Sequence, residues 1–415
     1  MSATLIDEPT LSDAIPTATL VTSGQLPPRR PSHFALVAWR VATKTIWTVF
    51  CFVSLVGLLA VITAIPFLQI ASLGYLLTVA GRLARGGTVR DCLPELPIAG
   101  RLGLALVALA LLRLPIQLLV HWAAVANIVS PNSTQTQILQ TSAVLAGLLG
   151  GVALSWAWLR GGRLVHYLWP QPKRFFRQYW RLETWQQGAD HLWQLVAQLS
   201  LPSWFWLGLR GMAGTLIWLI PAMLIMGVTR EADGDGAGVL FAILLLALGA
   251  VLLYLPMLQV HFATEDSFRA IFQWRNVRRH FSVAPWSWSL SMLIGLVLMP
   301  IPLYLLKIEA TPQEITWLPC LVFVSFMLPA RIAEGLAMRR CRRLTTMEPQ
   351  TPPSQSRWRR IWVSGSRWFN RLILMPAIVA IYLGVLTASQ YTSWDGIETW
   401  LHQHALLVPV PFVGV

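Results

Sequence analysis

Between Lys44 and Arg82 the chain runs for 37 residues without one charged side chain. As one straight helix that stretch would be about 55 Å long, against a bilayer hydrocarbon core of roughly 30 Å. Pro66 divides it, and proline interrupts helix hydrogen bonding. Two arrangements follow. Either residues 46–65 and 67–81 form a hairpin that returns to its starting side, or one span is followed by a helix in the interface. Arg29, Arg30, Arg40 and Lys44 precede the stretch, and Arg82, Arg85, Arg90 and Arg101 follow it. Basic residues at both ends favour the hairpin.

The rest of the chain repeats the theme. Apolar stretches at 102–126, 138–159, 204–228, 237–259, 285–306, 315–330 and 373–389 read as full spans. With that topology, 28 of the 32 Lys and Arg residues fall in segments sharing one side, two face the other, and two (Arg113 and Arg210) lie inside spans. Lys and Arg beside spans resist translocation, so the basic side is expected in the cytoplasm. The fold class is therefore all-α: a polytopic transmembrane bundle of about seven spans plus an N-terminal apolar hairpin. Hydrophobic residues make up 55% and charged residues 12% of the chain, against roughly 45–50% and about 25% in soluble proteins.

Three regions follow. Residues 1–32 are polar, lack a basic-then-apolar start, and are expected to be a disordered arm. Residues 33–389 form the membrane domain, with a basic cytoplasmic loop at 331–372. Residues 390–415 carry Asp395 and Glu398 but no Lys or Arg, and are expected outside. The expected location is a bacterial cytoplasmic membrane. Residues 174–199 and 267–281 combine arginines with Phe, Tyr and Trp and read as interfacial helices; packing against span ends is the alternative. The net charge of +14 is dispersed beside spans rather than gathered on one module, which argues against nucleic acid and for anionic lipid headgroups as partners. Cys51, Cys92, Cys320 and Cys341 form no CxxC pair and read as free thiols.

The stretch Leu55–Leu96 carries a resemblance. Ile65-Pro66, Gly74-Tyr75-Leu76-Leu77, Arg82, Arg85-Gly86 and Leu93-Pro94-Glu95 resemble the bacterial and archaeal multi-pass membrane family called domain of unknown function 4013. The likeness is clearest over about forty residues and extends to about residue 305. It departs at Leu96-Pro97-Ile98-Ala99, where acidic and aromatic residues are usual. The resemblance implies a hairpin and a membrane class, and no activity. Separately, Leu255-Pro256-Met257-Leu258-Gln259-Val260 echoes Ile65-Pro66-Phe67-Leu68-Gln69-Ile70, a match ascribed to chance in so apolar a chain.

Chemical motifs are sparse. No HExxH, Walker loop, GxSxG or strand-to-helix GxGxxG occurs, so no cofactor and no enzymatic activity is expected. Asp233-Gly234-Asp235-Gly236 imitates a calcium loop, but Leu244 stands where the closing Glu belongs. His402 and His404 lack a third ligand and read as tail histidines. Asn132-Ser133-Thr134 fits a glycosylation sequon. The candidate site is a stripe on the span 102–126: Arg113, Gln117 and His121 recur every four residues and share a face. Ionisable groups within spans usually face a bundle interior or a water cavity. Structural pairing or snorkelling is the competing explanation, and Arg210 is a weaker candidate of the same kind. Ala143, Gly147, Gly151 and Ser155 repeat every four residues on 138–159 and permit close helix packing, within the chain first and in a homo-oligomer second. The leading expectation is a non-enzymatic scaffold or accessory protein of the cell envelope. A transporter for a small, anionic solute using the polar stripe is the alternative, and a membrane-embedded lipid-modifying enzyme the third.

Overall fold

Inside a bilayer every backbone N–H and C=O must be satisfied within its own segment, which leaves apolar runs the helix. The structure, a computed structural model, describes residues 33–392 except 66, 94, 132, 232–234, 299–316 and 348–356, and holds no strand among them. The N-terminal arm, Pro66, Asn132, Asp233, Gly234, Glu309, Glu314 and the C-terminal tail with His402 and His404 thus lie outside the described residues. Contacts separate Met1–Ile46 from Trp47–Val415; the packing below is that of the second unit.

The helices are α1 (His33–Ala64), α2 (Leu68–Ala84), α3 (Leu96–Val129), α4 (Thr134–Leu159), α5 (Leu164–Leu168), α6 (Pro172–Gln178), α7 (Leu182–Gln198), α8 (Leu201–Glu231) and α9 (Asp235–Glu265). A 3-10 turn, Phe268–Phe272, leads to α10 (Trp274–Val283) and α11 (Pro285–Met292), which continues as a π-turn, Leu293–Leu298. After these come α12 (Trp317–Met347), α13 (Arg357–Phe369), a second π-turn, Asn370–Leu374, and α14 (Met375–Thr392). Among the described residues, five stretches are long and apolar enough to cross a membrane: Val37–Ala64, Leu96–Val129, Thr134–Leu159, Ala242–Glu265 and Cys320–Thr346. The expected spans at 204–228 and 373–389 fall in α8 and, from the end of the second π-turn onward, in α14. The one at 285–306 begins as α11, which meets α10 at 110°.

The core is built around α2. This helix follows Phe67, held at φ 68°, and ends before Gly86 at φ 107°, so it is only 17 residues long. Tyr75, Leu77, Val79, Ala80 and Leu83 are wholly buried, and α8, α9 and α12 pack around it. Lipid offers no hydrophobic drive for helices to associate, so close backbone approach must supply the attraction. Glycines permit it. A Cβ on Gly74 would fall on the Trp204 carbonyl of α8, and one on Gly208 on the Ile70 carbonyl of α2. A Cβ on Gly81 would likewise meet the Ala263 backbone of α9, and one on Gly335 of α12 would come 2.7 Å from the Ala80 carbonyl. Tyr75 and Trp204 close the α2–α8 contact edge to face, centroids 4.8 Å apart.

The pair α3–α4 is the opposite case. The two helices pack on each other, with Gly150 seated on Leu112, and Ser133 caps α4 by accepting from the Thr136 N–H at 3.3 Å. Near the start of α3, Gly100 and Gly103 lie against Cys51 and Ser54 of α1. Only 11% of the apolar window of either α3 or α4 is buried.

Two expectations need correction. Residues 331–347 are not part of a loop: α12 runs through them, and Arg331 and Glu334 are buried together. Charges usually end a span, but an internal ion pair one turn apart lets the helix continue. Residues 174–199 are not one helix either. The chain breaks between α6 and α7, where Tyr179 turns inward and its hydroxyl lies 3.1 Å from Ser155 Oγ. In 267–281, Ala270, Ile271, Val277 and Phe281 are buried, so this segment packs on its neighbours.

Candidate functional site

Arg113, Gln117 and His121 do share one face of α3, as their spacing requires, but all three are exposed. With its carboxamide oxygen turned to the guanidinium, Gln117 accepts from Arg113 Nε at 2.9 Å and from Nη2 at 3.2 Å. Pro115 sits within the helix without ending it. The stripe faces away from the bundle, so a path through this chain would not pass it. A transporter built on these residues loses its geometric basis. Arg210 is engaged elsewhere: its Nη2 is 2.7 Å from Asp266 Oδ1, and its guanidinium lies near the Trp206 and Phe262 rings.

The small-residue stripe on α4 is largely used within the chain. Ala143 is buried, a Cβ added at Gly147 would come 4.0 Å from Ile116, and Ser155 meets Tyr179. Only at Gly151 would an added Cβ meet nothing within 4 Å.

The interior polar groups are ones the sequence reading passed over. Arg331 Nη1 donates to Glu334 Oε2 at 2.8 Å, with both side chains 1% exposed. Gly295 of the first π-turn faces the pair; a Cβ there would be 3.0 Å from Glu334 Oε1. Gln259 Nε2 donates to Thr215 Oγ1 at 2.6 Å, joining α9 to α8. Ser289 Oγ donates to Asn370 Oδ1 at 2.6 Å, joining α11 to the second π-turn. Nε2 of His261 lies 3.1 Å from Gln273 Oε1. The Gln259–Thr215, Ser289–Asn370 and His261–Gln273 contacts join different elements, and buried polar groups in membranes hold helices together in this way.

Further clamps gather the basic segments. Arg85, just after α2, donates to the Ala263 and Thr264 carbonyls at 3.2 and 2.9 Å. These are orphan acceptors at the end of α9, where a cation is favoured. Arg342 of α12 reaches Glu265 at 2.9 Å, and Arg339 the Gly87 carbonyl at 3.2 Å. The segments after α2, after α9 and in the second half of α12 therefore meet at one end of the bundle. In the same region Glu95 lies 3.5 Å from Arg82. Burial raises its carboxyl above the ordinary range, and Arg82 only partly opposes this.

Residues 202–308, about a quarter of the chain, match the family described as Protein of unknown function (DUF4013). The family is the one the Leu55–Leu96 stretch resembles, but the match lies on α8 to α11 and beyond. Those elements include α8 and α9, which enclose α2. No curated protein and no solved structure matches the chain.

Proposed function

We propose that this integral membrane protein is a non-enzymatic scaffold or accessory component of the cell envelope, and that α3–α4 is the arm by which it holds another membrane protein. In this reading the membrane is the bacterial inner membrane, with the basic segments and the N-terminus in the cytoplasm and the C-terminus outside. The observation behind the proposal is an ionisable stripe at the middle of an exposed apolar helix. An arginine at mid-membrane is disfavoured by about 2.5–3.5 kcal/mol on insertion scales. Gln117 relieves part of that, but residues 96–159 contain no Asp or Glu to supply a counter-charge. A neighbouring span with a carboxylate or a free carbonyl supplies what the arm lacks.

A photo-crosslinking amino acid at Leu114, which is 61% exposed, tests this in native membranes. The expected result is a protein adduct that weakens about threefold or more on Arg113→Leu, since interhelical hydrogen bonds contribute roughly 0.6–2 kcal/mol. An adduct at twice the chain mass identifies the neighbour as a second copy. Lipid adducts alone, or a protein adduct indifferent to Arg113→Leu, would sink the proposal.

A further inference from the structure

A cavity of about 440 Å³ opens where α4 ends, lined by Arg101, Trp158, Arg160, Arg163, His166 and His191 among others. No carboxylate lines it among the described residues. We propose that this cavity binds a phosphate group, and that the phosphate is the headgroup of an anionic lipid or a free phosphate species.

The local sequence builds the cavity. Helix α4 stops at Gly161 and Gly162, which hold φ at 101° and 60°. Those left-handed positions suit glycine and reverse the chain after the helix. Arg160, Arg163 and His166 are thereby brought to one rim. Arg160 is fixed, donating to the Trp169 carbonyl at 2.8 Å and lying 5.8 Å from the Trp156 ring. The Arg163 N–H donates to His166 Nδ1 at 3.4 Å, which leaves Nε2 to carry the proton of the neutral ring. Gly188 seats α7 against Leu159 at the end of α4. One turn later, His191 comes to the opposite wall, and Arg101 contributes from the first turns of α3.

Guanidinium groups bind phosphate through paired N–H donors, and several converging arginines without a carboxylate favour an anion. The cavity falls within the size range of small-ligand sites. Crowding by cations is felt at His166: burial first, then Arg160, Arg163 and Arg174, hold its imidazolium below the ordinary range. The surroundings favour a lipid source. Leu168 and Trp169, shortly after His166 in the chain, and Leu192 and Trp193, directly after His191, are exposed, Trp193 to 74%. Exposed tryptophan and leucine beside arginine are at home at the headgroup boundary. This inference rests on the membrane reading but not on the scaffold role; loss of the crosslink at Leu114 would leave it standing.

The test uses the full chain reconstituted in phosphatidylcholine nanodiscs containing a minority of spin-labelled phosphatidylglycerol. The wild type is expected to immobilise the anionic label in preference to labelled phosphatidylcholine. The double variant Arg101→Gln/Arg163→Gln, at two exposed positions, should lose that preference by roughly fivefold per arginine, as about 1 kcal/mol per charge implies. Arg340→Gln/Arg343→Gln removes the same charge elsewhere and should retain it. Displacement of the label by millimolar inorganic phosphate assigns the site to the free anion; persistence assigns it to the lipid. Absence of a preference in the wild type, or equal loss in both double variants, would overturn the site.

Discussion

Replacing Gly208 with leucine is expected to abolish recovery of folded protein. A Cβ at this position falls on the Ile70 carbonyl oxygen and comes within 2.9 Å of the Gly74 nitrogen. The obstruction is backbone, so no rotamer change relieves it and the α2–α8 contact must open. Overpacking a core costs roughly 1–3 kcal/mol where side chains can adjust, and here they cannot. The contact lies at the centre of the fold, so α9 and α12 lose their place on α2 as well. Gly208→Leu should give little monodisperse protein on size exclusion after detergent extraction, and Gly208→Ala a lowered thermal midpoint. Gly151→Ala and Gly57→Ala meet nothing within 4 Å and should match the wild type. A wild-type elution profile and midpoint for Gly208→Leu would refute the glycine-mediated contact.

The second large effect concerns the buried ion pair. Glu334→Leu removes the carboxylate 2.8 Å from Arg331 while leaving a guanidinium that is 1% exposed. Removing one partner of a buried pair costs about 3–5 kcal/mol, whereas replacing both with apolar residues is often neutral. Glu334→Leu should therefore cause a marked fall in midpoint, and Arg331→Met/Glu334→Leu should recover most of it. If the double variant is as unstable as the single one, the pair is not the source of the cost. A Glu334→Leu protein with unchanged stability would remove the pair from the core altogether.

How far the sequence carried can be read from these same residues. The uncharged run with proline at its middle marks out α1 and α2, because length against bilayer thickness is a hard constraint. It does not reveal that α2 is the centre of the bundle. Gly74 and Gly208 lie far apart in sequence, and their meeting is a tertiary fact. Periodicity placed Arg113, Gln117 and His121 on one face of α3, but says nothing of which way that face turns when the whole helix is apolar. Arg331 and Glu334 read as part of a loop in the sequence because charges normally end a span. The signal that could have found them was their i, i+3 spacing, which lets opposite charges neutralise each other within a helix. The phosphate cavity was visible only as scattered arginines, since it takes two left-handed glycines and the seat of Gly188 on Leu159 to bring them together.

That the basic segments share one side of the membrane is tested most directly by reporter fusions. Arg85 on the Ala263 and Thr264 carbonyls, Arg342 on Glu265 and Arg339 on the Gly87 carbonyl gather three of these segments at one end, as a single-sided distribution requires. A reporter active only in the cytoplasm should be active when fused at Met1 or after Gln350, and silent after Val415. Activity at Val415, or silence after Gln350, would contradict this topology and the one-sided charge on which it stands.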